Sequence, residues 1–274
     1  DLPRQDGLTF DGDDLSPVTY TDADAAAFAA YMPAALAFQL RPESHALILG
    51  TRGGLDVLVA LATGAAQVTA VEPNEIAINV AKQTGTFADE HVQFVADEPR
   101  AFVRRSNRVF DVIQLPLTTP YRPVTSGAYS LAEDYDLTVQ GFQDILNRLR
   151  DDGLFVATRW LQSQPSEELR LFALSVTAAD GSRLSLPDSI IAMRGYNTMT
   201  VIIKKGDWNE RELDAIRGFA SSRKFDLVYA PGLRATDANR YNLLPDDAFY
   251  RTFHSLVFGP DRDAFYASYP FDVT

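Results

Sequence analysis

The 274-residue sequence contains no cysteine. Disulfides, thiolate metal sites and a cysteine nucleophile are therefore excluded. Only three histidines occur, His45, His91 and His254, scattered without the spacing of metal ligands. There is no Gly-x-Ser-x-Gly elbow, and the acidic residues form no metal-ligating pattern, so no metal is expected. No apolar run approaches the roughly 20 residues that span a bilayer; the longest, FAAYMPAALAF from Phe28, carries Pro33. A signal-peptide pattern is also missing. Positive charge is scarce, with 25 basic residues against 37 acidic ones and a net charge of −12. That balance argues against nucleic acid or anionic lipid as the main partner, because both need a basic face. The chain opens at Asp1 rather than at methionine. The expectation is a cytoplasmic domain, open to being the soluble piece of a longer, membrane-attached polypeptide.

What remains is an ordinary globular composition, 46% hydrophobic and 23% charged, long enough to bury a sizeable core. Residues 7–21 read as two short strands around an Asp/Gly/Pro turn. An alanine-rich helix is expected over 25–40, kinked near Pro33. Strands and helices then alternate. ALIL (46–49), VTAV (68–71), VQFV (92–95), FDVIQL (110–115) and GLFVATRW (153–160) are strands. Between them lie helices at Leu55–Thr63, after an Asn74 cap, from Pro99, and on the amphipathic face Val139, Phe142, Ile145, Leu146 and Leu149. A helix near 166–178, strands near 190–193 and 198–204, and a helix near 210–223 follow. This alternation predicts a mostly parallel sheet with helices on both faces. Residues 226–274 are rich in aromatics and read as an appended cap. The expected division is an N-terminal hairpin segment (1–24), an α/β domain (25–205) and a helical, aromatic C-terminal extension packed on the core (206–274).

The stretch LILGTRGGLDVL (47–58) sets glycines at 50, 53 and 54 between an apolar strand and a helix. A phosphate-cradling loop would end in Gly-Lys-Ser/Thr and a dinucleotide loop would read Gly-x-Gly-x-x-Gly; neither fits. Glu72 ends the second core strand, where a carboxylate can accept hydrogen bonds from both hydroxyls of a ribose. Asp97 follows the third, placed for an adenine amino group, and Asp111 lies in the strand after it. Glycines with acids after strands two and three are the pattern of an adenosyl-ligand site. The plainer readings are a tight turn before a closely packed helix, a Glu72 carboxylate favoured by a helix dipole, and Asp97 and Glu98 opening the next helix. Asp56 reads as a helix-start carboxylate.

Residues 45–160 resemble the spermidine-synthase-like branch of the class I S-adenosylmethionine (SAM)-dependent methyltransferase superfamily. LILGTRGGLDVLVALATGAAQVTAVEPN, VADEPRAFVRR, FDVIQL and YSLAEDYDLTVQGFQDILNRLRDDGLFVATRW carry the resemblance. It implies a Rossmann-like, seven-stranded, mostly parallel sheet with an antiparallel last strand pair. It further implies that Gly50, Gly53 and Gly54 line the methionine part of SAM, Glu72 the ribose, and Asp97 with Glu98 the adenine region. Two departures stand out. The fourth strand ends in QLPLTTP (114–120), without the aspartates with which aminopropyltransferases hold a polyamine and assist its deprotonation. Arg52 occupies a position where relatives place a small residue or an aspartate; it would pair with a ligand carboxylate or obstruct the pocket.

The leading expectation is a SAM-dependent methyltransferase with a small-molecule acceptor, because methyl transfer from a sulfonium can rest on orientation and desolvation. Gln114, Thr118, Tyr121, Tyr129 and Tyr135 are candidate acceptor-site residues, and 118–130 the candidate lid. Aminopropyl transfer from decarboxylated SAM is the second reading, with Glu133, Asp134 and Asp136 supplying charge; a solvated acidic loop is the plain alternative for those three. The third is a non-catalytic sensor or scaffold beside a membrane-spanning module. Homodimer formation stays open.

Overall fold

The chain divides into two compact units, Asp1–Tyr121 with Arg148–Val156, and Arg122–Asn147 with Ala157–Thr274. The structure, a computed structural model, describes residues 3–10, 14–83, 90–118, 136–162 and 165–270. The expected lid, with Tyr121, Tyr129, Glu133, Asp134 and Tyr135, lies outside the described residues apart from Thr118.

The first unit opens with an antiparallel hairpin, β1 (Arg4–Phe10) and β2 (Asp14–Tyr20). Strand β2 buries Ser16 and Val18 on one face, the period-2 alternation of a half-covered strand. The single kinked helix expected over 25–40 is instead a 3-10 turn, Ala27–Tyr31, and a short helix α1, Ala35–Leu40. Met32 between them is extended at ψ 141°, as steric conflict with a following proline ring demands.

Strands β3 (Ser44–Leu49), β4 (Ala65–Val71), β5 (Val92–Val95) and β6 (Phe110–Leu115) are separated by helices α2 (Leu55–Thr63), α3 (Glu75–Gln83) and α4 (Pro99–Arg105). Strand β7 (Leu149–Trp160) contributes its residues 149–156 to this unit. The spatial order is β7-β6-β3-β4-β5, with β3 parallel to both β4 and β6, and β4 parallel to β5. These strands are nearly continuous apolar runs, as a sheet covered on both faces requires. The chain builds outward from β3 to β5 and then returns to lay β6 on the other side of β3. In open α/β sheets, the crevice at such a reversal is where ligands bind, outside the carboxyl ends of the strands.

Asp111 does not belong to that end. It sits near the start of β6, where its carboxylate accepts from the His45 backbone at 2.8 Å and from Arg150 at 2.9 Å. It pins β3 and β7 to β6 at the amino ends of the strands.

The second unit takes residues 157–160 of β7 and helices α5 (Val139–Leu146), α6 (Glu167–Gly181) and α7 (Leu186–Ser189). Strands β8 (Ile190–Arg194) and β9 (Thr198–Lys204) form an antiparallel pair, followed by α8 (Glu210–Arg223). A further strand, β10 (Asp226–Tyr229), pairs antiparallel with β8, and the order here is β10-β8-β9-β7. The large, mostly parallel sheet therefore has eight strands rather than seven. Four residues at the head of an aromatic-rich stretch are too few to show a period, so β10 is not visible in the sequence. Beyond it, α9 (Ala248–Phe258) buries Phe249, Phe253 and Leu256 at helical spacing. The Phe253 ring packs against Phe172 of α6 at 4.4 Å between centroids. A last helix, α10, spans Arg262–Ser268.

One carboxyl in this unit is charged only at a cost. Glu168, in the first turn of α6, is fully buried and accepts the Gln162 and Ser166 backbone N–H groups at 3.3 Å each. Burial outweighs those bonds and lifts its pKa from 4.5 to about 8. Between these values the unfolded chain has released the proton while the folded chain retains it, so stability falls as pH rises through that window. The slope is at most about 1.4 kcal/mol per pH unit. Glu168→Gln should flatten the dependence of melting temperature on pH between about 5 and 8. Parent and variant melting with the same pH slope would contradict it.

Candidate functional site

The residues at the β3–β6 reversal explain the glycine turn one by one. Gly50 closes β3 at φ +82° and donates its N–H to Val71 at 2.8 Å. A Cβ there would press on the Thr118 methyl at 3.2 Å. Gly54 starts α2 at φ +87°, where a side chain would be strained. At Gly53 the constraint is a neighbouring strand. Its N–H donates to the Ser16 hydroxyl at 3.1 Å, and an added Cβ would collide with the Pro17 carbonyl. Val18 bridges Gly54 in antiparallel fashion. The close approach signalled by the glycines is therefore, at Gly53, an approach to the chain's own hairpin.

Arg52 points to the same hairpin. Its guanidinium pairs with Asp14 at 2.5 Å and lies over the Phe10 ring at 4.6 Å. The residue adopts φ +45°, a region that costs a non-glycine residue roughly 1–2 kcal/mol. Its ion pair, ring contact and backbone bond hold it there. In this structure a residue of the chain, Asp14, supplies the carboxylate that faces Arg52.

Glu72 is buried at 3% exposure beneath this turn. One carboxylate oxygen accepts the Arg52 backbone N–H at 2.8 Å, the other the Asn74 N–H at 3.1 Å. Asn74 in turn caps α3 by accepting from Ile76 at 2.9 Å. Glu72 thus brackets the glycine turn to the β4–α3 turn. Each oxygen keeps a second lone-pair direction.

A third polar group meets the turn from β6. The Gln114 amide nitrogen donates to Asp56 at 2.6 Å, which leaves the amide oxygen facing elsewhere. Gln114 is 1% exposed and Thr51 3%. Among the described residues, neither the Gln114 Oε1 nor the Thr51 Oγ1 has a hydrogen-bond partner. Buried acceptors are rarely left so. Asp56, half-buried in the first turn of α2, has its pKa raised by burial to about 6 against the lowering effect of Gln114. Asp56 and Thr51 were not candidates in the sequence, where an acid opening a helix needs no further explanation.

Asp97 lies beyond β5. Its carboxylate pairs tightly with Arg105 and accepts the Glu98 N–H at 2.9 Å. Glu98 is exposed and occupies the cap position of α4 without making a side-chain cap. The structure therefore gathers Gly50, Arg52, Gly53, Gly54, Glu72, Gln114 and Thr118 about one turn, with Asp97 and Glu98 at the next strand outward. Among the described residues no three His, Asp or Glu side chains converge in a way that could hold a metal. No described helix is long and apolar enough to cross a membrane.

No family model matches the chain, and no curated protein sequence does. Solved structures do. A probable spermidine synthase from Corynebacterium glutamicum aligns over 78% of this chain and 82% of its own, at 15% identity and a TM-score of 0.52. Spermidine synthase from Thermotoga maritima aligns over 78% and 70%, at 17% identity and 0.49. A putative methyltransferase from Streptococcus mutans, solved with SAH, aligns over 60% and 89%, at 15% identity and 0.42. The first of these likenesses establishes the fold: this chain has the Rossmann-like α/β architecture of that probable spermidine synthase.

The bracket made by Glu72 has a measurable consequence. Glu72→Ala removes the acceptor of the part-buried Arg52 N–H, worth about 1–3 kcal/mol when left without a partner, and that of the exposed Asn74 N–H, which water can replace. Chemical denaturation should show a loss of about 1–3 kcal/mol. A variant as stable as the parent would mean that these two bonds do not hold the turn.

Proposed function

We propose that the first unit binds an adenosyl ligand across the carboxyl ends of β3, β4 and β5, and transfers the methyl group of SAM to a small-molecule acceptor. The observation that carries this reading is the cluster at the strand reversal. Two buried side-chain oxygens, Gln114 Oε1 and Thr51 Oγ1, lack partners among the described residues there, beside a turn with two glycines in the left-handed region. The free lone pairs of Glu72 suit ribose hydroxyls. For Asp97 to receive the adenine amino group, it would have to share its carboxylate with Arg105.

In methyl transfer the acceptor's lone pair attacks the methyl carbon, and the carbon–sulfur bond breaks with its electrons going to sulfur. The acceptor then releases a proton. Asp56, with its pKa near 6, is the group at this turn suited to receive it.

A second reading, aminopropyl transfer from decarboxylated SAM, is favoured by one observation. Arg52 is ion-paired with Asp14, though its Nη1 makes no hydrogen bond, and among the described residues the turn otherwise offers a carboxylate, an amide oxygen and a hydroxyl. Such a lining suits an ammonium better than the carboxylate of intact SAM.

Titration calorimetry with SAM, S-adenosylhomocysteine, methylthioadenosine and decarboxylated SAM separates these readings. Methyl transfer predicts binding of SAM at least as tight as that of decarboxylated SAM; the reverse order favours aminopropyl transfer. Because Arg52 serves the hairpin, Arg52→Gln should change SAM affinity by less than about threefold, under 1 kcal/mol. A drop of tenfold or more for SAM alone would show that Arg52 leaves Asp14 to hold the ligand. Binding of none of the four overturns the proposal and leaves a non-catalytic scaffold.

A further inference from the structure

The second unit contains a cleft of about 430 Å³ between α8 and the segment after β10, within the size range of small-molecule sites. Its floor is apolar, with Phe225, Leu227 and Leu233, and its rim carries Arg217, Arg234 and Arg240. In a chain of net charge −12, residues 211–240 hold six basic against four acidic side chains. The cleft sits within that local excess.

The acidic groups nearby are already committed. Asp226 is 1% exposed at its side chain and forms a buried ion pair with Arg194 at 3.3 Å. Its oxygens also accept the backbone N–H groups of Arg240 at 2.5 Å, Tyr241 at 2.9 Å and Asn242 at 2.8 Å. Burial works to raise the Asp226 pKa, but these bonds and the Arg194 charge outweigh it, so the carboxyl stays ionised. Asp237, which also lines the cleft, is bound to Arg234 at 2.8 Å and feels the charges of Arg240 and Arg217, and Arg217 pairs with the exposed Asp214 at 2.9 Å and Glu210 at 3.9 Å. Arg240 makes no ion pair with a described residue. Its guanidinium lies 5.9 Å from the Tyr241 ring, which the Lys224 ammonium approaches to 4.8 Å.

We propose that this cleft binds a small organic anion: a carboxylate or phosphate ester carried on a flat apolar body. The guanidinium of Arg240 presents a fork of N–H donors that matches an oxyanion, and Arg217 adds charge from the facing helix. The apolar body covers Phe225 and Leu227. Asp226 fixes the backbone from Arg240 to Asn242 through three hydrogen bonds, so part of the ordering cost of binding has been met before the ligand arrives. The proposal is independent of the adenosyl reading, because every residue in it belongs to the second unit.

Ligand-observed NMR and calorimetry on the whole chain test it with four probes: phenyl phosphate, benzoate, inorganic phosphate and benzamide. Phenyl phosphate and benzoate should bind with dissociation constants below about 1 mM, and the other two about tenfold more weakly. The double variant Arg217→Gln with Arg240→Gln should lose about tenfold or more for both organic anions. Both residues are at the surface, so its melting temperature should match that of the parent. Arg240→Lys keeps the charge but not the fork, and should fall between the two. Absence of binding by the organic anions, binding that the double variant retains, or inorganic phosphate binding as well as phenyl phosphate would each overturn the proposal.

Discussion

The Glu72 carboxylate, held beneath the glycine turn by the Arg52 and Asn74 N–H groups, is the interaction on which the strand-end architecture of the first unit depends. A turn containing three left-handed residues, Gly50, Arg52 and Gly54, has few regular hydrogen bonds of its own. It keeps its shape only if its N–H groups find fixed acceptors. Glu72 supplies one from below and Ser16 of the hairpin another, at Gly53. Hairpin, turn and the starts of two helices are thereby joined through a handful of polar contacts, which the apolar core of the sheet does not provide.

That arrangement changes what the arginine in the turn means. A cation beside a ligand loop invites the idea of a ligand carboxylate. Here the partner is Asp14, with Phe10 on the guanidinium face. The positive charge is paired with the hairpin over the turn, and two buried oxygens nearby, Gln114 Oε1 and Thr51 Oγ1, lack partners among the described residues. On the proposed adenosyl reading, the groups facing the ligand's amino-acid end are Asp56, Gln114 and Thr51. In the second unit a buried pair plays a comparable organising part, as Arg194 and Asp226 tie β8 and β10 to the loop at 239–242.

Local signals made much of this legible in the sequence. The apolar strands, the Asn74 cap and Pro99 at the start of α4 depend on neighbours within a few residues, and the structure shows each of them. The resemblance to spermidine-synthase-like proteins pointed to the fold, which the comparison of structures supports. What escaped was set by distance along the chain. The Ser16–Gly53 bond spans 37 positions and the Gln114–Asp56 bond 58, so no period or motif could show them. Asp111 was read with the site acids because it follows the same apolar pattern, yet its place near the first residue of β6 sets it at the opposite end of the sheet. Asp56 looked like a helix-start acid, which it is; that it also meets a glutamine from β6 needed the structure.

The central claim is that the turn bracketed by Glu72 frames an adenosyl site. Amide chemical-shift mapping of the isotope-labelled chain with S-adenosylhomocysteine tests it most directly. The account predicts that the saturable shifts concentrate at Gly50–Gly54, Glu72–Asn74, Asp97 and Gln114, at the carboxyl ends of the strands. Shifts confined to other parts of the chain, or none at millimolar ligand, would contradict it.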